Sequence, residues 1–172
     1  MQRLRAQRVG KRFRVAVAIA CVAACPLVAS FAASSQDQAA ATARDAILAR
    51  KGLMNSIMDK MDRIANMISR GKIEMSAARE NADDISVMLS AFPHLFPENS
   101  NQWKEDSDLD PATDTTASPD IWTDFAEFYR RSAVAANTAY ELSRAENADD
   151  VKRLYRALGI ACDTCHALYL KE

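Results

Sequence analysis

Two thiols and an imidazole lie within a span of five residues near the end of the chain, in the segment "GIACDTCHALYLKE". They belong to Cys162, Cys165 and His166, and the nearest other cysteine is Cys25. Four kinds of chemistry use such groups: a disulfide, a zinc site, a thiol redox pair and the covalent attachment of haem c. The residues around the motif discriminate among these four.

Only haem attachment uses all three groups of the motif. A disulfide between Cys162 and Cys165 would close a strained small ring on a helix and leave His166 without a role. A structural zinc site needs four ligands, but the only other histidine, His94, lies in a distant polar segment. A thioredoxin-like pair belongs at a helix N-terminus in a strand-and-helix context. The Cys-x-x-Cys-His sequence therefore predicts one covalent haem c, with His166 as an iron ligand.

Two helices are predicted before the middle of the chain. Apolar residues recur at helical spacing from about Asp37 to Arg70 and from about Glu74 to Phe92. Gly71 is the expected stop of the first helix, and Pro93 ends the second. A polar, acidic loop then covers residues from about 93 to 119, which is longer than most connections in compact domains.

Two further helices are predicted after this loop. The third has Ser118 as its N-cap and Pro119 as its first residue. The fourth begins near Asn147 and continues almost to the end of the chain, with acidic residues favourable in its first turn. The residues that the third helix is predicted to bury are Ile121, Trp122, Phe125, Phe128, Ala136 and Tyr140.

The motif continues the apolar stripe of the fourth helix. That stripe comprises Val151, Leu154, Tyr155, Leu158, Cys162, Cys165, His166 and Tyr169. Steps of one, three or four residues put these side chains on one helix face, so the thiols and the imidazole are predicted to point inward. Four amphipathic helices with two short links and one long one indicate an all-α, antiparallel four-helix bundle. We expect that bundle to enclose the haem c.

Residues 1–32 have the composition of a secretory signal peptide. Six Lys/Arg residues and no acid precede an apolar run, "VAVAIACVAACPLVASFAA", whose last residues are small. We expect cleavage after Ala32, which removes Cys21 and Cys25 and leaves residues 33–172 as the mature domain in the periplasm. An uncleaved membrane anchor and lipidation at Cys25 are the alternatives.

The mature chain is acidic. The whole sequence has 22 basic and 23 acidic residues, and six of the basic ones lie in the leader, so residues 33–172 have a net charge of −7. Such a surface has little with which to neutralise phosphates, which argues against nucleic acid as a partner. The sequence contains neither an evident acid–base pair nor the Glu-x-x-His pair of a di-iron bundle. We therefore predict that the protein is not an enzyme.

Four short segments resemble a known family in the same order. The first helix contains "ARKGLM", the second ends in "HLFPENS", the third opens with "PDIW" and the fourth has the haem motif "CDTCHALY". Together they resemble the class II cytochromes c, which comprise cytochrome c′ and its low-spin relatives of the c-556 type. The likeness covers essentially the whole mature chain. The acidic stretch from Glu105 to Thr116 is longer than is usual in the family.

The resemblance implies a set of residues around the haem. Met54 coincides with the family position whose side chain either ligates iron or shields an open site. Arg50, one turn earlier, would be an expensive charge on an apolar stripe unless it is paired. The family implies a salt bridge to a haem propionate with help from Lys51, and snorkelling is the alternative. The predicted cofactor-binding residues are Cys162, Cys165, His166, Arg50, Lys51 and Met54, with His166 and Met54 as the iron ligands.

Three functions are compatible with this set. Iron saturated by Met54 suits a periplasmic electron carrier that docks redox partner proteins, and this is the predicted function. Iron with an open sixth position would instead bind nitric oxide or carbon monoxide, as in cytochrome c′. The third hypothesis is a haem-free exported structural bundle with incidental thiols. A homodimer, which occurs in the family, is neither favoured nor excluded by the outer helix faces.

Overall fold

Apolar residues at helical spacing predict four long segments, and each of them is helical in the structure. The protein is represented by a computed structural model that describes residues 26–105, 108, 110 and 113–171, with the backbone alone for 26–35. The helices are α1 (Pro26–Ser69), α2 (Met75–Ala91), the one-turn α3 (Asp120–Thr123), α4 (Phe125–Ser143) and α5 (Ala148–Tyr169). The described residues contain no strand beyond an isolated antiparallel bridge between Ala117 and Leu170. The predicted all-α four-helix bundle is confirmed.

The packing of the four long helices is uneven. α2 packs against α1 and α4, and α4 packs against α5, whereas α1 and α5 touch at few points. One core cluster, which includes Ile64, Ile85 and Leu142, fills the centre of the bundle. A smaller aromatic cluster around Phe96 and Phe128 lies apart from it. The sparse contact between α1 and α5 leaves room for a cavity next to the haem motif.

The ends of α1 and α5 follow from their capping residues. Gly71 has a φ of 64°, in the left-handed region that favours glycine. Its N–H donates to the carbonyl of Ile68 at 3.0 Å, and the N–H of Lys72 donates to that of Met67 at 3.1 Å. This pair of bonds is the Schellman motif that closes a helix. The Asn147 side chain caps the start of α5 by accepting hydrogen bonds from two backbone N–H groups. The predicted C-terminal end of α1 and the predicted start of α5 are therefore both confirmed.

Replacement of Gly71 by alanine is expected to destabilise the protein by about 1–2 kcal/mol, because an L-residue is strained at positive φ. Gly52 provides the matched control, since it lies inside α1 and an added Cβ meets nothing within 4 Å. Gly52→Ala should stabilise by about 0.5–1 kcal/mol through helix propensity. Urea denaturation of the two holoprotein variants measures both changes, and effects of the same sign would contradict this account of the turn.

The third predicted helix is in fact two helices, α3 and α4. Asp124 leaves helical geometry with φ −133° and ψ 68°, and its side chain caps α4 by accepting the N–H of Glu127. The prediction of Pro119 as the first helical residue is wrong, because it occupies the N-cap position of α3. Ser118 is therefore not the N-cap, although its Oγ accepts the N–H of Asp120 at 3.2 Å.

The burial predicted for this region is partly wrong. Ile121, Phe128 and Ala136 are buried as expected, but Phe125 is 39% exposed and Tyr140 is 46% exposed. The sequence pattern treated residues 119–140 as one helix, and the break at Asp124 separates Phe125 from the stripe it was assigned to. The buried face of α4 is lined by Phe128, Ser132, Ala135, Ala136, Ala139, Leu142 and Ser143.

The predicted loop of residues 93–119 is partly ordered by two short 3₁₀ helices, Phe92–Leu95 and Glu98–Ser100. The signal peptide, residues 1–32, stays a prediction, because residues 1–25 lie outside the described residues and α1 begins at Pro26. Both leader cysteines fall in that outside part. None of the described helices combines the length and the hydrophobicity that a bilayer crossing requires.

Candidate functional site

A cavity opens into the bundle between α1, α4 and α5. It encloses about 920 Å³ of atom-free space, part of which opens to solvent. Its walls are mainly apolar and include Leu89, Phe96, Ile121, Phe128 and Ala135. The cavity lies where α1 and α5 are loosely packed, so a bound group would complete the bundle there.

The haem motif lies in the wall of this cavity. Cys162, Cys165 and His166 all line it, and both thiols are free and half-buried. His166 is exposed, so it lines a part of the cavity that solvent reaches, and the prediction of a buried inward imidazole is only partly met. The structure therefore brings together the three groups that the sequence singled out, without a disulfide between the thiols.

The two thiols are held in their neutral form. Burial raises the pKa of Cys162 to about 11, and the neighbouring Cys165 and Asp163 add to the shift. Burial also raises the pKa of Cys165, and the positive charge of Arg131 opposes that rise. Zinc binds thiolates, and no cluster of three metal-ligating side chains occurs in the described part of the chain.

Met54 lines the same cavity from α1. Its side chain is half-buried and packs against the central core cluster. Met58, one turn further along α1, is 60% exposed and does not line the cavity. Of these two methionines, only Met54 lines the space that the haem motif borders.

Arg50 is buried, with 4% of its surface exposed, so the snorkelling hypothesis is wrong. Its guanidinium donates to the hydroxyl and the carbonyl of Ser100 and to the hydroxyl of Thr115. It also lies over the Phe96 ring, with 4.7 Å between the guanidinium carbon and the ring centroid. Burial lowers the pKa of Arg50 to about 10. No carboxylate of the described residues pairs with this cation, which leaves it suited to an anionic group in the cavity.

A short strap, defined as residues 114–118, closes one side of the cavity. Lys51 donates from its ammonium group to the carbonyl of Asp114. The N–H of Lys171 donates to the carbonyl of Thr116, and the N–H of Ser118 donates to that of Tyr169, both at 2.8 Å. The strap therefore ties α1 to the end of α5, and Lys51, predicted as a cofactor residue, also holds this segment.

Sequence reasoning missed several residues of the cavity wall, among them Phe96, Thr115 and Arg131. Phe96 and Thr115 lie in the long polar loop, where no helical period identifies inward positions. Arg131 follows Arg130 on α4, and the pair looks like an ordinary charged surface. The "HLFPENS" segment was the available signal for Phe96, because Leu95 and Phe96 form an apolar pair within a largely polar loop.

Comparison with known proteins gives a consistent result. The family model described as cytochrome c′ matches residues 45–169. Cytochrome c′ from Shewanella frigidimarina superposes with a TM-score of 0.63 at 20% identity, covering 76% of this chain and 97% of that one. A mutant of the Rhodopseudomonas palustris cytochrome c′ gives 0.64 at 22% identity, covering 74% and 98%.

A third solved structure carries a ligand in its description. It is the nitric oxide complex of a variant of the cytochrome c′ from Alcaligenes xylosoxidans, with a TM-score of 0.62 at 16% identity, covering 76% of this chain and 97% of that one. No curated protein sequence matches the chain significantly. At these identities the structural likenesses establish the fold, and the family model covers most of the chain.

Proposed function

The chain belongs to the cytochrome c′ family, and we propose from that premise that it is an exported, periplasmic haem c protein that transfers single electrons. The observation that carries the proposal is that Met54 and His166, a thioether and an imidazole, line one cavity together with both thiols. When bound, the haem supplies a one-electron ferric/ferrous couple. The carrier function, the redox partners and a homodimer are proposals for this chain.

The chemistry of the cavity wall fits a haem. Two neutral thiols, an imidazole and a thioether are the groups used for covalent attachment and axial ligation, and all four lie in this wall. The buried Arg50 guanidinium, with no carboxylate among the described residues, provides a partner for a propionate. Apolar and aromatic side chains form most of the remaining wall. Both the donor side chains and the positive charge of the wall therefore suit a haem.

Each of these side chains has a defined task in the proposed carrier. Cys162 and Cys165 would hold the cofactor through thioether bonds, and His166 would provide a nitrogen ligand for its iron. Met54 would add its thioether from α1, and such a histidine–methionine pair raises the reduction potential. Phe96 and Phe128 exclude water from the wall. A dry, fixed set of ligands limits the rearrangement that accompanies a change of redox state.

Binding of nitric oxide or carbon monoxide is the second candidate function. Near Met54 the cavity is lined by the core residues Ile57, Leu89 and Ala135. These side chains are apolar and offer no ligand of their own. The nitric oxide complex of the Alcaligenes xylosoxidans relative also favours it. In that case Met54 would cover an open iron face without bonding to it.

Absorption spectra of the wild-type holoprotein separate the two candidates. We expect low-spin spectra in the oxidised and reduced states, and no change when carbon monoxide is added to the reduced protein. A saturated iron has no site for the gas, which is the physical reason for this expectation. A high-spin reduced protein that binds carbon monoxide would overturn electron transfer through a Met54-ligated iron and favour gas binding.

A further inference from the structure

Arg131 lies in the cavity wall with Cys165, His166 and Tyr169. Its Nε is the one buried side-chain nitrogen or oxygen without a hydrogen-bond partner in the described part of the chain. A buried donor that lacks an acceptor is destabilising, and such groups in native proteins call for an explanation. The bundle thus keeps a costly cation next to the haem motif.

The neighbouring carboxylate cannot neutralise this cation fully. Glu127 accepts two hydrogen bonds from Arg130, both at 2.7 Å, and its Oε1 also lies 2.8 Å from a terminal nitrogen of Arg131. One carboxylate is therefore shared by two guanidinium groups. The Arg131 side chain is 29% exposed against 60% for Arg130, so the inner cation is less screened by water.

The positive charge of Arg131 borders the space where the haem would be attached, because its side chain lines the same cavity as Cys165 and His166. In a poorly solvated wall the field of such a charge weakens slowly with distance.

We propose that Arg131 is a potential-tuning residue whose partly buried positive charge raises the reduction potential of the attached haem. A fixed cation near the iron disfavours the ferric state, which has one more positive charge, relative to the ferrous state. Glu127 moderates the effect because it neutralises part of the charge. The inference rests on the proposed haem site.

Arg131→Gln and Arg130→Gln form a matched pair, because each removes one cation beside Glu127 and only Arg131 lines the cavity. Spectroelectrochemical titration of the holoproteins measures their reduction potentials. Arg131→Gln should lower the equilibrium constant for reduction by up to tenfold, a shift of about 59 mV for one electron. Arg130→Gln should change it less than twofold, and Arg131→Lys should restore most of the wild-type value.

Two outcomes would overturn the inference: equal shifts in the matched pair, or no downward shift for Arg131→Gln. Should Arg131→Gln fail to mature, Glu127→Gln tests the same field with the opposite sign and should raise the potential, whereas a fall or no change would overturn it. The potential is measurable whether or not Met54 ligates the iron. Carbon monoxide binding by the wild type therefore contradicts the proposed function, while the order of the potentials decides the role of Arg131.

Discussion

Replacement of Met54 by alanine is expected to convert a low-spin holoprotein that ignores carbon monoxide into a high-spin one that binds it. The thioether of Met54 lines the cavity of the haem motif, and its loss would open the sixth position of the iron. Because methionine ligation raises the reduction potential, the potential should fall by at least about 59 mV, which corresponds to a tenfold lower equilibrium constant for one-electron reduction. Absorption spectroscopy with carbon monoxide and a redox titration measure these changes.

Two further variants separate ligation from packing at this position. Met54→Leu keeps most of the side-chain volume but removes the sulfur, so it should give the same change of spin state. Met58→Ala, on the same helix but 60% exposed and away from the cavity, should leave the spectra unchanged. A Met54→Leu protein that stays low-spin would show that Met54 only covers the iron.

Replacement of Arg50 by methionine is expected to destabilise the holoprotein by about 2–4 kcal/mol, since hydrogen bonds to a charged group contribute about 1.5–3 kcal/mol each. The guanidinium holds both Ser100 and Thr115, and it lies over Phe96. The substitution would also leave a haem propionate without its cation and thus lower the reduction potential. Urea denaturation and redox titration measure the two effects separately.

The exposed Arg63 of the same helix is the matched control for Arg50. Arg63→Met should change the stability by less than about 0.5 kcal/mol, as is usual at the surface. If Arg50→Met lowers the stability without changing the potential, Arg50 only anchors the strap and Ser100. That result would contradict its assignment to a propionate while leaving the fold account intact.

The helical part of the fold was predictable because period and capping act locally. The stops and caps at Gly71 and Asn147 follow from the conformations that glycine and asparagine favour, and the structure has both. The break between α3 and α4 was not predicted. Asp124 can continue a helix or cap one, and the local sequence pattern does not decide between the two; in the structure it caps α4.

The candidate site was predictable in its chemistry and less so in its surroundings. The spacing of Cys162, Cys165 and His166 identifies their use on its own. The partners of Arg50 could not be read from the sequence, because Ser100 and Thr115 are 50 and 65 residues away in the polar loop. Long-range hydrogen bonds of this kind leave no periodic signal in the sequence. The polar composition of the loop therefore suggested a solvated segment, although part of it lines the cavity.

We propose that His166 and Met54, which line one cavity, both bind the iron. Near-infrared magnetic circular dichroism of the oxidised wild-type holoprotein would identify the two ligands from the charge-transfer band. We expect a low-spin spectrum with imidazole and thioether ligands. A high-spin spectrum, or a low-spin spectrum of an imidazole–hydroxide pair, would overturn the ligation by Met54.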